Sequence, residues 1–317
     1  MANAALARSS VWMAGVAALV IVQLTLIWSH QAWPDEYQAL LIAREATSQS
    51  ELLAWLRYEG HPPLWYWFLQ MLGAVIPSGW VLPAAASFCA FAVLGAILFA
   101  SPFTRIERLL LASSQYIVFE FLTISRGTSL GVALVFLAMI VWRTRWIWAI
   151  MALLPLVDFL FGVISGVFLI LKWRERDLWW SGVAIWLAAS AFAGWTVLPA
   201  PDMVSASEAM AMESGFLSWF LKMGSLPLPF QGGVAPQWNT PVTPIASFAW
   251  AVMLWLCWHL TRGFVWHRLL IFGLFGFTLV FSLLVYPIGL RHLMLGCLLL
   301  FGLVSHAPSR FCPAVAA

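Results

Sequence analysis

The sequence predicts an all-α polytopic membrane protein of about ten transmembrane helices, a single transmembrane domain over residues 1–317. Three observations predict it. Hydrophobic residues make up 63% of the chain and charged residues 9%, with a mean hydropathy of +0.91, whereas a soluble domain usually carries about 25% charged residues. Apolar runs fit to cross a bilayer recur along the whole length. Tryptophan, present 21 times, stands beside the ends of many of these runs. Trp28, Trp33, Trp80, Trp142, Trp146, Trp173, Trp179 and Trp180 read as an aromatic belt at the headgroup level.

The elements follow in chain order. Arg8 precedes an apolar run from Val11 to Ser29, too long for a signal-peptide core and without a small-x-small cleavage site after it. It is expected to be an uncleaved first span with a cytoplasmic N-terminus. Further spans are expected at 80–101, 108–125, 127–142, 146–157, 159–171, 178–198, 247–261, 268–286 and 292–305. Several are short, and 146–171 reads as a hairpin of two short helices turning near Pro155 and Asp158. The stretch 64–76, "LWYWFLQMLGAVI", is apolar but only 13 residues long, and fits either a short span or an interfacial segment.

Lys and Arg decide between these readings, because cytoplasmic loops are enriched in them. If 64–76 does not cross, eleven fall on the cytoplasmic side: Arg8, Arg105, Arg108, Arg143, Arg145, Lys172, Arg174, Arg176, Arg262, Arg268 and Arg310. Five fall outside: Arg44, Arg57, Arg126, Lys222 and Arg291. If it crosses, "KWRERD" faces out and the bias inverts. The preferred topology has ten spans, both termini cytoplasmic, and two long outer loops, 30–79 and 199–246. Nine of the 13 carboxylates then fall in outer segments, so any chemistry is expected there.

Loop 30–79 reads as structured. Asp35, after Pro34, is expected to cap a helix running to about Thr47. Ser48 and Ser50 are expected to start a second helix through Tyr58. Pro62 and Pro63 suit the start of a third, where missing N–H groups are not needed, and Trp65, Tyr66 and Trp67 fit an interfacial helix. Loop 199–246 carries seven prolines and a candidate amphipathic stretch at 207–223, and reads equally as a lid or as a passive connector.

Cys89, Cys257, Cys297 and Cys312 show no metal or CxxC spacing. No P-loop, no GxGxxG and no basic nucleic-acid tract is present, so nucleic acid is not an expected partner. What remains is an acidic pair after the first span, Asp35-Glu36, then "GHPPLWYW" in the same loop, "ISRG" at the second outer turn, and "YPIGLRHLML" at a late span.

That order resembles the GT-C glycosyltransferases, in particular the protein O-mannosyltransferase and lipid A aminoarabinose transferase branch. The acidic motif is matched by Asp35-Glu36, the His-Pro-Pro-Leu motif by His61-Pro62-Pro63-Leu64, the "SR" motif by Ser125-Arg126, and the late aromatic–arginine motif by Tyr286, Arg291 and His292. The likeness covers most of residues 11–175 and, more loosely, 268–305. Thr128 departs from it, standing where an aromatic is common, and the large soluble C-terminal domain of such enzymes is not expected. The resemblance implies a transferase of the inner (plasma) membrane. It would use a polyprenyl-phosphate sugar donor on the outer, periplasmic face and pass the sugar to a glycan, lipid or protein acceptor.

Each candidate has an ordinary alternative. Asp35 is the expected base or a helix cap. Glu36 binds acceptor, orients Asp35 or holds a cation, or stabilises a first turn. His61 contacts donor or merely starts a helix. Arg126 and Arg291 clamp phosphate or snorkel at span ends, and Tyr286 and His292 join Arg291 as donor contacts. Glu120 is an intramembrane carboxylate and therefore a functional candidate, or half of a buried ion pair. Asp158 is read chiefly as part of a turn. No cofactor is certain; His30, Asp35, Glu36 and His61 make a divalent metal a candidate. The rival classes are a transporter or flippase of a lipid-linked saccharide, which favours internal repeats and midplane charges, and a non-catalytic assembly subunit, in which Asp35 is only a cap.

Overall fold

The computed structural model describes residues 2–202 and 265–284, with residues 255, 258 and 259. All regular structure among these residues is helical. The chain divides into two compact units, Met1–Met203 and Val204–Ala317. In the second, the described residues form one long helix, α11 (Val265–Leu284), on which Phe272 meets Trp258 edge-on, while Arg268 stacks over the Trp258 ring at 3.7 Å. The expected spans 247–261 and 292–305 and nearly all of loop 199–246 lie outside the described residues.

The first unit opens with α1 (Ala2–Ser29). Three short helices follow: α2 (Pro34–Glu45), α3 (Gln49–Glu59) and α4 (Leu64–Gly73). Then come α5 (Ser78–Gly95), prolonged by a π-helical turn at Ala96–Ala100, and α6 (Arg105–Ala112). A separate π-helical stretch, Tyr116–Phe121, precedes α7 (Gly127–Ile140). The unit ends with α8 (Trp146–Leu153) and its 3-10 extension Leu154–Leu156, α9 (Phe159–Arg174) and α10 (Trp180–Thr196). Among the described residues, two helices, Ser10–Ser29 and Ser78–Ala100, are long and apolar enough to cross a membrane.

Local chemistry explains most boundaries. Pro34 takes the first helical position of α2, where its missing N–H is unneeded. Ser48 caps α3 by accepting the Glu51 N–H at 3.2 Å, and Gly60 closes it in the left-handed conformation (φ 68°). Thr104 and Glu107 form a reciprocal capping box at α6. Two expectations change. Asp35 is not a cap: Trp33 holds that position, Asp35 lies in the first turn, and α2 stops at Glu45. The run 108–125 is not one helix. It breaks at Ser113-Ser114 and resumes as a π-helix, and the carbonyl of Val118 is satisfied instead by Gln23 Nε2 of α1 at 3.1 Å and Thr123 Oγ1 at 2.7 Å. Trp142, expected in the aromatic belt, packs within the fold: it is 5% exposed and its carbonyl takes the buried Lys172 ammonium at 2.6 Å.

The helices run up and down between two ends. At one end Trp28 meets Trp80 edge-on at 6.2 Å, Ser125 Oγ donates to the Leu82 carbonyl at 2.9 Å, and Arg57 donates to the carbonyls of Leu198 and Pro199. The other end gathers Arg105 over Trp12, Lys172 against Trp142, and Arg145 over Trp179. Helix α4 starts and finishes at the first end: Gln70 Nε2 reaches the Ala43 carbonyl at 2.9 Å, and the chain passes through Pro77 straight to Trp80. Trp65 and Tyr66, expected in an interfacial helix, are buried against the rest of the unit, each 3% exposed.

Candidate functional site

Glu36 organises the first end. It is 1% exposed and both carboxylate oxygens are committed. Oε2 pairs with His30 Nε2 at 2.9 Å and accepts the Trp33 N–H at 2.8 Å; Oε1 accepts the Ser125 N–H at 2.7 Å from 89 residues away. A buried carboxylate needs such partners. The effect is to pin the start of α2 to the turn before α7, which makes Glu36, with its side chain 0% exposed, a positioning residue.

That pin sets Asp35 against Arg126. Their carboxylate and guanidinium form an ion pair, and Arg126 packs over the Trp33 ring at 5.2 Å. The Arg126 side chain is 13% exposed and the Asp35 side chain 51%, so the carboxylate faces outward.

His61 joins from the turn before α4. Its Nδ1 lies 3.6 Å from Asp158 Oδ2, while Asp158 Oδ1 accepts the Leu160 N–H at 2.9 Å and caps α9. The His61 side chain is 53% exposed; partial desolvation works to lower its pKa, but the Asp158 carboxylate, helped by Glu59, outweighs it and holds the ring above its ordinary 6.5. The charge of Arg126 is felt at both His61 and Glu120.

Gly127 marks where these segments meet, at distances at which a Cβ would make ordinary van der Waals contact. A Cβ there would lie 3.5 Å from Trp65 Cβ and 3.6 Å from the Val157 carbonyl oxygen. The starts of α4, α7 and α9 therefore meet around Arg126, His61 and Asp158. Helix N-termini carry partial positive charge and free N–H groups, so the arrangement favours an anion, with a half-exposed carboxylate beside it.

His30, Asp35, Glu36 and His61 do not form a metal set. They separate into His30–Glu36, Asp35–Arg126 and His61–Asp158 pairs, and no group of three metal-binding side chains occurs among the described residues. Tyr286, Arg291 and His292 lie outside the described residues.

Comparison with protein-family models, with curated proteins and with solved structures returned no match to this chain.

Two contributors were not legible beforehand. Trp33 counts by position as a belt tryptophan, yet its ring lies under the Arg126 guanidinium; its place two residues before Asp35 was the available signal. Glu59, next to the motif "GHPP", acts on His61 through its charge.

Proposed function

We propose that the chain is an inner-membrane glycosyltransferase that moves a sugar from a polyprenyl-phosphate donor to an acceptor on the non-cytoplasmic face, with inversion and with Asp35 as base. One observation carries the reading: Asp35-Glu36, His61 and Ser125-Arg126, scattered over about ninety residues, meet at one end of the first unit. The membrane setting is supported by α1, where only Val16, Gln23 and Ile27 of residues 10–29 are buried while Val11, Met13, Ile21 and Val22 stand exposed. Apolar surface on that scale needs a cover. Ten spans remain the proposed topology, with the short α7, α8 and α9 shielded by their neighbours.

The chemistry follows from the Asp35–Arg126 pair. A donor phosphate offers two oxygens to a planar guanidinium and competes for it with the carboxylate. Arg126 then holds the phosphate while Asp35 is released toward the acceptor. The acceptor hydroxyl attacks the anomeric carbon from the face opposite the phosphate. The carbon–oxygen bond breaks with its electron pair on phosphate, and Asp35 takes the hydroxyl proton. Protonated His61 and the helix N-termini oppose the charge that develops. Tyr286, Arg291 and His292 are proposed as further donor contacts.

The test is turnover by purified protein on a panel of polyprenyl-phosphate sugars. Asp35→Asn is expected to cost about 10²–10⁴-fold in rate while donor binding persists. Arg126→Ala and Arg291→Ala are expected to weaken donor binding, each only partly restored by Lys. Near-parental transfer by folded, donor-bound Asp35→Asn protein would overturn the assignment of the base.

A further inference from the structure

Helices α2 and α3 turn two matched faces toward each other. On α2 the face carries Pro34, Tyr37, Gln38 and Leu41; on α3 it carries Trp55, Tyr58 and Glu59. Both spacings are those of one helical stripe. Between them lies a groove of about 420 Å³, within the range of small-molecule sites, about 300–1,000 Å³. Tyr37 and Tyr58 remain about half exposed, at 53% and 51%, so the stripes do not fill the space between them.

The groove is built. The Tyr58 hydroxyl donates to the Asp202 carboxylate (2.8 and 3.0 Å to its two oxygens), and this fixes the ring and turns its hydroxyl away. Gln38 Nε2 donates to Glu59 Oε1 at 2.6 Å, tying the two walls together. That bond leaves the Glu59 Oε2 and Gln38 Oε1 acceptors for a ligand. One end is Pro34, adjacent to Asp35; Glu59 stands two residues before His61. The groove lining is therefore next in sequence to two residues of the candidate site.

We propose that this groove binds the acceptor and that the acceptor is a saccharide, its ring faces against Tyr37, Trp55 and Tyr58 and its hydroxyls on Glu59 and Gln38. The proposal rests on the glycosyl-transfer reading for what happens next, but not for the binding itself. The lining chooses among occupants. A lipid chain would strip water from a carboxylate and an amide without replacing their hydrogen bonds, which is costly. An anion or a nucleic acid finds no Lys or Arg in the lining, and a metal finds a single carboxylate. A sugar has both surfaces required: C–H faces for the rings and hydroxyl donors for the carboxylate and amide. Bound there, its end nearest Pro34 delivers a hydroxyl to Asp35.

The experiment reads binding without any donor. Full-length protein in nanodiscs is titrated with glucose, galactose, mannose, N-acetylglucosamine and their β-linked disaccharides, followed by saturation-transfer NMR. At least one is expected to bind. Tyr37→Ala, at a half-exposed position that folding tolerates, should weaken it by about tenfold or more, Tyr37→Phe should retain it, and Glu59→Gln should weaken it less than Tyr37→Ala does. No binding across the panel, or parental binding by Tyr37→Ala, overturns the proposal. So does a spin-labelled acyl chain that quenches Trp55 and that Tyr37→Ala displaces, since the groove would then hold lipid. Saccharide binding without turnover of any donor would instead refute the transferase reading and leave the groove as a sugar site.

Discussion

Asp35 and Glu36 are adjacent yet sit in opposite environments: one carboxylate outward against Arg126, the other sealed among N–H donors. Conservative amides should separate them. In Glu36→Gln one end becomes NH₂, which must face either the Trp33 or the Ser125 N–H. The expected loss is about 1–3 kcal/mol for a mispaired buried group, read as a lower unfolding midpoint, whereas Asp35→Asn should unfold with the parent. Equal midpoints for the two variants would show that Glu36 is not the pin. His61 offers a second test. Its raised pKa means that the pair with Asp158 stabilises the fold below about pH 6.5 and that this contribution is lost as pH rises through the folded-state value. Asn caps a helix about as well as Asp, so Asp158→Asn should keep α9 while removing the carboxylate. The His61 resonance should then titrate lower than in the parent, because the carboxylate that raises it is gone. An unchanged titration would mean that Asp158 is not the cause.

At the scale of elements, what was legible was local. The cap at Ser48, the prolines before α4 and the α8–α9 hairpin at Asp158 each depend on residues within a few positions, and each forms close to where the sequence places it. The π-helix after α6 has its Val118 carbonyl met in part by Gln23, 95 residues away, and the pin at Ser125 comes from Glu36, 89 residues away; no periodicity encodes either contact. The same holds for Trp65, which is buried where α4 packs near Gly127, 62 residues further along the chain. Packing at this scale can be tested at Gly131. A Cβ there would lie 2.2 Å from the Phe161 ring, which is 1% exposed and has nowhere to go. Gly131→Ala is expected to cost about 1–3 kcal/mol by overpacking α7 on α9. Gly194→Ala, with nothing within 4 Å, should be neutral or gain up to about 1 kcal/mol from helix propensity. Matching midpoints would mean that α7 and α9 lie further apart.

At the scale of the whole molecule, the two ends of the first unit differ in charge. The end that holds Asp35 and Arg126 also holds Glu59, Asp158 and Asp202, with Arg57 as a further cation. The opposite end gathers Arg105, Arg108, Arg145 and Lys172, with Arg174 and Arg176 following in the chain. Lys and Arg are retained on the cytoplasmic side during insertion, and acidic residues contribute little to orientation. The cation-rich end should therefore face the cytoplasm, with the ion pair and the groove outside, where a lipid-linked donor can meet an acceptor. A reporter active only outside the cytoplasm tests this directly. Fused after Thr47, in the turn between α2 and α3, it should be active; fused after Arg105 or Arg176 it should be silent. Activity at Arg105 together with silence at Thr47 would invert the molecule and place Asp35 on the cytoplasmic side, where soluble nucleotide sugars rather than polyprenyl-linked ones would be the available donors. Activity at both Thr47 and Arg105 would mean that the chain between them does not cross, and α5 would then be a core helix rather than a span.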